Sequence, residues 1–284
     1  MASLVQIVEP CVFSYKGKMI EIKNVWAHNL EEEMARMREV ARTYKFVAMD
    51  TEFPGVVARP IGSFTSATDF QYQTLRCNVD LLKIIQLGIS FADEDGNFPE
   101  GVVCWQFNFR FSLSEDMFAR DSIDLLTRSG INFKKHEDYG IDVESFGEAL
   151  MSSGLILVDD VRWISFHSGY DFGYLIKLLT CKPLPAHEED FFLLLHTYFP
   201  CVFDEKHMMR DPMCNERLRG GLNKLAEDLN VKRVGAMHQA GSDSLVTLET
   251  YFQLCKDYFK GDIDNANFVG VLHGLGAESS MVAQ

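Results

Sequence analysis

The sequence lacks any apolar run of about 18 residues, the least that a membrane-spanning helix requires, so no transmembrane segment is expected. It has seven cysteines, an odd count, without a single C-x-x-C pair. That excludes the usual spacing of a structural zinc site and argues for reduced thiols in an intracellular setting. Basic charge is scarce: 27 Lys and Arg stand against 41 Asp and Glu, for a net charge of −14. Such a balance favours solubility and argues against broad nonspecific nucleic-acid binding. It leaves open a local positive field, from metal ions or a basic patch, at one site. The first ten residues contain an acid and no basic flank leading into an apolar stretch, so a secretory leader is not expected. No repeat, low-complexity tract or composition shift divides the chain. Its 284 residues suit one large α/β domain or two small ones, with no boundary marked.

What is present alternates between strand and helix signals. Residues 20–26 read as a short strand. Asn29, with Glu32 three residues on, predicts a capped helix running to about Thr43 on the apolar positions Leu30, Met34, Met37 and Ala41. Residues 46–53 read as a strand, 63–74 as a polar loop and 81–92 as a long apolar strand. A five-residue turn at 93–97 then leads to a partner strand at 102–107, giving a hairpin within an antiparallel meander. Ser112 and Glu115 suggest a second capping box, with a helix over 117–127 stopped at Gly130. Asp142 is expected to cap a helix through Phe146 and Leu150. A strand at 162–166, helices at 172–179 and 188–199, a short strand at 201–203, and helices at 222–229 and 242–258 complete the pattern. Strands first, then strands alternating with helices, predict a mixed β-sheet flanked by helices. The domain is expected to occupy residues 1–259, and the Gly-, Asn- and Ser-rich residues 260–284 are expected to form a mobile tail.

The informative stretch is Lys45-Phe46-Val47-Ala48-Met49-Asp50-Thr51-Glu52-Phe53. Residues two apart on a strand share a face, so Asp50 and Glu52 point at one place. Carboxylates that close repel unless a cation lies between them, and a divalent ion suits the oxygens. Asp171 opens a helix after the strand at 162–166, and Asp243 opens the last long helix. Taken singly, each acid has an ordinary explanation, since acids are common in the first turn of a helix. His238 lies five residues before Asp243 in a glycine-containing loop, where it is expected to fold back over the same place. Asp204, beside the strand at 201–203, reads as structural.

Together these positions resemble the His-type branch of the DEDD 3′–5′ exonuclease superfamily. Three longer strings carry a closer resemblance. They are Phe46-Val47-Ala48-Met49-Asp50-Thr51-Glu52-Phe53-Pro54-Gly55, Phe166-His167-Ser168-Gly169-Tyr170-Asp171-Phe172-Gly173-Tyr174-Leu175 and His238-Gln239-Ala240-Gly241-Ser242-Asp243-Ser244-Leu245. They are similar to the Caf/Pop-type poly(A)-specific ribonuclease (deadenylase) subunits of the CCR-NOT complex, over about residues 25–259. The Tyr-type branch would place its tyrosine four residues before the last aspartate, where this chain has Gln239. The segment between Phe203 and Gly220 is longer than the family pattern leads one to expect.

The resemblance implies a single RNase H-like domain that removes poly(A) from RNA 3′ ends, releasing 5′-AMP with two divalent cations, Mg²⁺ or Mn²⁺. Asp50 is expected to bridge both ions. Glu52 and Asp243 would serve the ion nearer the attacking water, and Asp171 the ion nearer the leaving oxygen. His238 would be the general base, because an imidazole titrates near neutrality. Phe53 is a candidate for stacking on a base, although core packing is its commoner use. Leu222, after Gly220-Gly221, is a candidate for lining the nucleotide pocket by resemblance alone. Between Lys206 and Arg233, seven Lys or Arg stand against four Asp or Glu, a candidate phosphate path. A NOT-type scaffold and a CCR-type nuclease are the implied partners. A monomeric catalytic domain in cytoplasm and nucleus is expected. A non-catalytic adaptor would be expected to lack one of the five residues, and all five are present. A DNA exonuclease of the same superfamily differs only in substrate.

Overall fold

The computed structural model describes residues 11–214, 217–261, 263 and 265–276. Residues 1–10, on which the expectation about a leader rests, lie outside that set. Seven strands form one sheet in the order β1-β2-β5-β4-β3-β6-β7. They are β1 (Cys11–Tyr15), β2 (Lys18–Val25), β3 (Phe46–Glu52), β4 (Gln86–Ala92), β5 (Gly101–Asn108), β6 (Arg162–Ser165) and β7 (Val202–Asp204). β3, β4 and β5 make the expected antiparallel meander. β2 joins β5, and β6 joins both β3 and β7, in parallel. The mixed sheet is therefore as expected. β1 was not legible in the sequence. It folds onto β2 through Lys16 and Gly17, both at positive φ, the two-residue turn that matches strand twist.

The helices are α1 (Leu30–Ala41), α2 (Ala67–Leu81), α3 (Arg120–Arg128), α4 (Phe133–Tyr139), α5 (Val143–Met151), α6 (Gly169–Thr180), α7 (Glu188–Tyr198), α8 (Glu205–Met208), α9 (Leu222–Asp228), α10 (Ala240–Tyr258) and α11 (Asn265–Phe268). Among the described residues, none is long and apolar enough to cross a membrane. Asp142 caps α5 as expected, accepting the N–H of Ser145 at 3.0 Å. Asn29 does not cap α1. It closes a short 3₁₀ turn, and its Oδ1 accepts the N–H of Trp26 at 2.7 Å instead. Ser112 starts no helix either: its hydroxyl bonds Glu137, and α3 begins at Arg120.

The clearest correction is α2, which occupies residues read as polar loop and the start of a strand. Ser66 caps it by accepting the N–H of Asp69 at 3.0 Å. Thr68, Tyr72, Leu75 and Val79 form one buried stripe at helical spacing. The polar residues on the other face hid that period. Three carbonyls at its C-terminal end, those of Val79, Asp80 and Leu82, accept hydrogen bonds from Lys177 of α6. Gly173 lets α6 approach closely, because a Cβ there would press on Val79 and Leu75.

Alternation along β3 assigns the faces of the sheet. Val47 and Met49 enter the larger apolar core with α1, α2, α5, α6 and α7. Phe46 and Ala48 enter the second core, with α8, α9 and α10. The longer segment after β7 is anchored in that second core by Met208, Met209, Cys214 and Leu218.

The expected boundary at residue 260 needs correction as far as Gly276. Phe268 is buried in the second core, and Leu272 and Leu275 are buried in the first. The carbonyl of Gly270 bonds His196, and the N–H of Gly276 donates to Glu188 at 2.8 Å. Three apolar side chains at irregular spacing suffice to dock a segment whose composition resembles a linker. The remaining tail residues, 277–284, lie outside the described set. Leu272→Ala should therefore lower the unfolding free energy by about 2–5 kcal/mol, as core truncations do. Leu193→Ala, at a surface position, should stay within about 0.5 kcal/mol of wild type. Urea denaturation of both variants checks this, and equal stabilities would contradict the docking.

Candidate active site

Because Phe46 and Ala48 face α10, Asp50 and Glu52 continue onto that same face at the end of the strand. α10 brings Asp243 in its first turn. Asp171 arrives from the opposite face, in the first turn of α6. Its place follows from the ladder. β6 pairs β3 only at Phe46, Val47 and Ala48, so the Thr51 N–H extends beyond it. The Asp171 carboxylate takes the vacant position, accepting the Thr51 N–H at 2.9 Å and the Thr51 hydroxyl at 2.7 Å. Thr51, the residue between the two strand acids, thus fixes the third.

His238 sits in the loop before α10 with φ at +57°, and its N–H donates to Asp243 Oδ2 at 2.9 Å. One potential ligand atom from each of Glu52, His238 and Asp243 lies within 4.8 Å of the others. The loop folds back over the strand acids, as its offset from Asp243 led us to expect. All five expected residues therefore meet at one end of β3.

The electrostatics show what the cluster needs. Burial pushes the Asp50 carboxyl well above the usual range, and Asp243, Asp171 and Glu52 push it the same way. Glu52 is raised by burial, then by Asp243 and Asp171. Asp243 is also raised by burial, although Arg233 and His238 draw it down. Arg233 Nη1 is 2.6 Å from Asp243 Oδ1. Among the described residues, no other Lys or Arg pairs with any of the four carboxylates. One guanidinium leaves most of the negative charge uncompensated. Hard oxygen donors with a net deficit of positive charge fit divalent cations such as Mg²⁺ or Mn²⁺.

The approach of α10 to the sheet was not read from the sequence. Gln86 on β4 and Gln106 on β5 point their Oε1 atoms at the helix N-terminus. They accept the N–H groups of Ala240 at 3.3 Å and Gly241 at 2.9 Å. Both also donate to Gln239 Oε1, while Gln86 reaches Asn108 and Gln106 reaches Asn24. Gln239 in turn donates to the carbonyl of Ser129 at the end of α3. Gly88 makes the contact possible, since a Cβ there would collide with the backbone of Ala240. The available signal was three amide residues in strands that are otherwise almost wholly apolar.

The other candidates are placed as follows. Phe53 is half-buried and stacks on Tyr170, with ring centres 5.1 Å apart, and also contacts Tyr174. Leu222 is half-exposed at the start of α9. Asp204 is fully buried and accepts the N–H groups of His167, Ser168, Lys206 and His273, the structural role expected of it. Of the basic stretch, Lys206 bonds the carbonyl of Gly220, Lys224 pairs with Asp228 and Arg233 with Asp243. Glu216, one of its four acids, lies outside the described residues.

Asp171 supplies a test of the buried charge. Burial holds its carboxyl up at about 6, against an ordinary 3.8. Between those values the folded protein binds more protons than the unfolded chain, so this group's contribution to stability is lost as pH rises through the window. In EDTA, Asp171→Asn should be more stable than wild type at about pH 7.5, by on the order of 1–3 kcal/mol. The gap should close as the pH falls toward about 4. Chemical denaturation across that range decides it, and a variant that is never the more stable one would contradict the charge penalty.

A family model described as CAF1 family ribonuclease matches residues 25–146 and 154–250. The probable CCR4-associated factor 1 homolog 7 of Arabidopsis thaliana is 53% identical over 273 residues, covering 94% of this chain and 98% of the relative. The poly(A) ribonuclease pop2 of Schizosaccharomyces pombe is 49% identical over 261 residues, 92% of this chain and 77% of that protein. A structure of S. pombe Pop2p in its Mg²⁺- and Mn²⁺-bound form matches with a TM-score of 0.86 and 50% identity, over 89% of this chain and 99% of that one. A structure of the yeast NOT1 MIF4G domain co-crystallised with CAF1 matches with a TM-score of 0.75 and 36% identity, over 89% and 96% of the two chains. With its fold and nearly its whole length matched, the chain belongs to the CAF1 family of ribonucleases.

Proposed function

We propose that this protein is a metal-dependent 3′–5′ exoribonuclease that shortens mRNA poly(A) tails as a catalytic subunit of the CCR-NOT complex, promoting mRNA turnover. The observation that carries this is the convergence of four carboxylates and one histidine at the end of β3, in a chain about half identical to a poly(A) ribonuclease. Asp50, Glu52, Asp171 and Asp243 would hold two divalent cations, Mg²⁺ or Mn²⁺, with Asp50 central and Asp171 on the side of the leaving oxygen. When bound, such ions stabilise the attacking and leaving oxygens of an in-line displacement. His238 takes the proton of the attacking water on an imidazole nitrogen. Thr51 holds Asp171, and the His238 N–H holds Asp243, so neither acid has to be ordered during turnover.

Phe53 and Leu222 are proposed contacts of the terminal nucleotide, Phe53 from the end of the strand that carries the acids and Leu222 from the start of α9. The phosphodiester chemistry does not depend on the base, so adenine preference comes from pocket shape and stacking and is partial. The NOT-type scaffold is a partner, supported by the yeast CAF1 and NOT1 co-crystal structure. A CCR-type nuclease is a proposed second partner, supported by the name of the Arabidopsis relative. We place the protein in cytoplasm and nucleus as a monomeric catalytic subunit.

The test is a 5′-labelled RNA ending in a run of adenosines. A ladder should shorten one nucleotide at a time from the 3′ end, stop in EDTA and resume with Mg²⁺ or Mn²⁺. A-tails should be degraded faster than U- or C-tails. Asp50→Ala should abolish the ladder with circular dichroism unchanged. His238→Ala should slow it by roughly 10²–10⁴-fold while Mn²⁺ still binds. Internal cuts before end-shortening, or equal rates on DNA and RNA tails, would overturn the deadenylase assignment.

A further inference from the structure

Arg233 takes no part in the chemistry just described, yet its guanidinium is held on three sides. Nη1 contacts Asp243 Oδ1 at 2.6 Å and donates to Ser242 Oγ at 2.9 Å, and Nη2 donates to Asn223 Oδ1 at 2.5 Å. Ser242 is itself fixed, because its hydroxyl donates to the carbonyl of Val234 at 2.6 Å. The Arg233 side chain is only 18% exposed. A residue waiting for an RNA phosphate would keep its donors free, whereas here two of the three nitrogens are committed to protein oxygens. The committed donors also tie together three pieces of chain: the start of α9 beside Leu222, the loop carrying His238, and the first turn of α10. The positive charge reaches beyond Asp243, offsetting Asp50 and Glu52 as well.

We propose that Arg233 is the resident counter-charge of the carboxylate cluster, a positioning residue that holds Asp243 in place and shares its charge until divalent cations arrive. The inference rests on the metal-site reading above. It follows from two facts: Asp171 and Asp243 are buried beside the half-buried Asp50 and Glu52, and this is the one Lys or Arg among the described residues that pairs with them. A buried carboxylate without a partner is strongly destabilising, so the metal-free fold needs such a charge beside Asp243. The same charge repels an incoming cation, so Arg233 also moderates metal affinity.

The experiment compares wild type, Arg233→Gln and Arg233→Lys in the full chain, by thermal unfolding with and without Mn²⁺ and by calorimetric Mn²⁺ titration. Wild type should gain stability from Mn²⁺. Without metal, Arg233→Gln should melt roughly 4–8 °C lower. Its gain from Mn²⁺ should exceed that of wild type, so that the loaded proteins converge, and it should bind Mn²⁺ about tenfold more tightly. Arg233→Lys keeps the charge but loses the bond to Asn223, so it should keep the Mn²⁺ affinity of wild type and melt between wild type and Arg233→Gln without metal. If the Gln variant cannot be purified folded, the Lys variant still decides, since an altered Mn²⁺ affinity there would overturn the counter-charge role. Equal Mn²⁺ gains in wild type and Arg233→Gln, or weaker Mn²⁺ binding in the variant, would also overturn it. So would a raised KM for A-tailed RNA with an unchanged Mn²⁺ response, which would reassign Arg233 to a phosphate. Absence of any Mn²⁺ response in wild type would instead overturn the metal site, and the inference with it.

Discussion

Four carboxylates gathered in one cluster, two of them buried and two half-buried, are the constraint on which this structure turns. Each is raised by burial, and Asp50 and Glu52 are raised further by the other acids. Left alone, such a cluster would relax by letting one element swing away. The fold prevents that by delivering the acids from elements that cannot move independently. Asp50 and Glu52 lie on an interior strand, hydrogen-bonded to β4 along its whole length. Asp171 replaces a missing ladder partner, so displacing it would strand the Thr51 N–H. Asp243 lies in the first turn of a helix whose following residues, from Ser244 to Leu248, are buried. The repulsion is thus borne by the surrounding packing, and the site is organised before any ligand arrives.

The docking of α10 shows how demanding this is. Its N-terminus is seated against the middle of the sheet, where exposed backbone donors would otherwise be buried unsatisfied. Side-chain oxygens of Gln86 and Gln106 accept two of those donors, and the remaining amide groups bond one another in a chain that ends at Ser129. A buried polar network of this kind rigidifies only when every member is satisfied. Losing one amide leaves its partner without a bond, at a cost of about 1–3 kcal/mol. The glycine at position 88 belongs to the same arrangement, since any side chain there would lift the helix, and with it Asp243 and His238, off the sheet.

Particular residues show why the chemistry was easier to read than the scaffold. Asp50 and Glu52 were legible because a strand has a period of two and both acids must share a face. Asp171 and Asp243 stand at changes of element, and it was the resemblance of the strings around them to a known family that marked them as site residues. β6, α6 and α10 were found nearly to their ends from those changes of element. Three features were hidden. α2 buries five positions, two of them the polar Thr68 and Asn78, and shows mostly polar residues elsewhere, so its apolar period is faint over 67–81. β1 depends on pairing with β2, and five residues carry too little pattern to reveal it. Arg233 and the amide network act through contacts between distant segments, Asn24 to Gln106 and Gln86 to Gln239 among them. No local spacing encodes such partnerships. The docked segment at 265–276 misled for a related reason, because Leu272 and Leu275 are core residues set among linker-like neighbours.

An enzyme with a net charge of −14 must still hold a polyanion. The basic stretch at 206–233 is less available for this than its composition suggests. Lys206, Lys224 and Arg233 are engaged with protein oxygens, and the last of them offsets part of the charge of the site itself. With three of its seven cations committed within the protein, the stretch offers a shorter electrostatic track to a nucleic acid than its composition suggests. Divalent cations held by the four carboxylates would balance their charge and, together with Arg233, would leave a site that attracts one or two phosphates. That suits a nuclease that acts at a chain end, since affinity concentrated at the metal centre would favour the terminal phosphodiester. It also gives a physical reason for such a subunit to work within a larger assembly. A catalytic domain whose affinity is concentrated at the last nucleotides would gain from partners that bring a long RNA within reach.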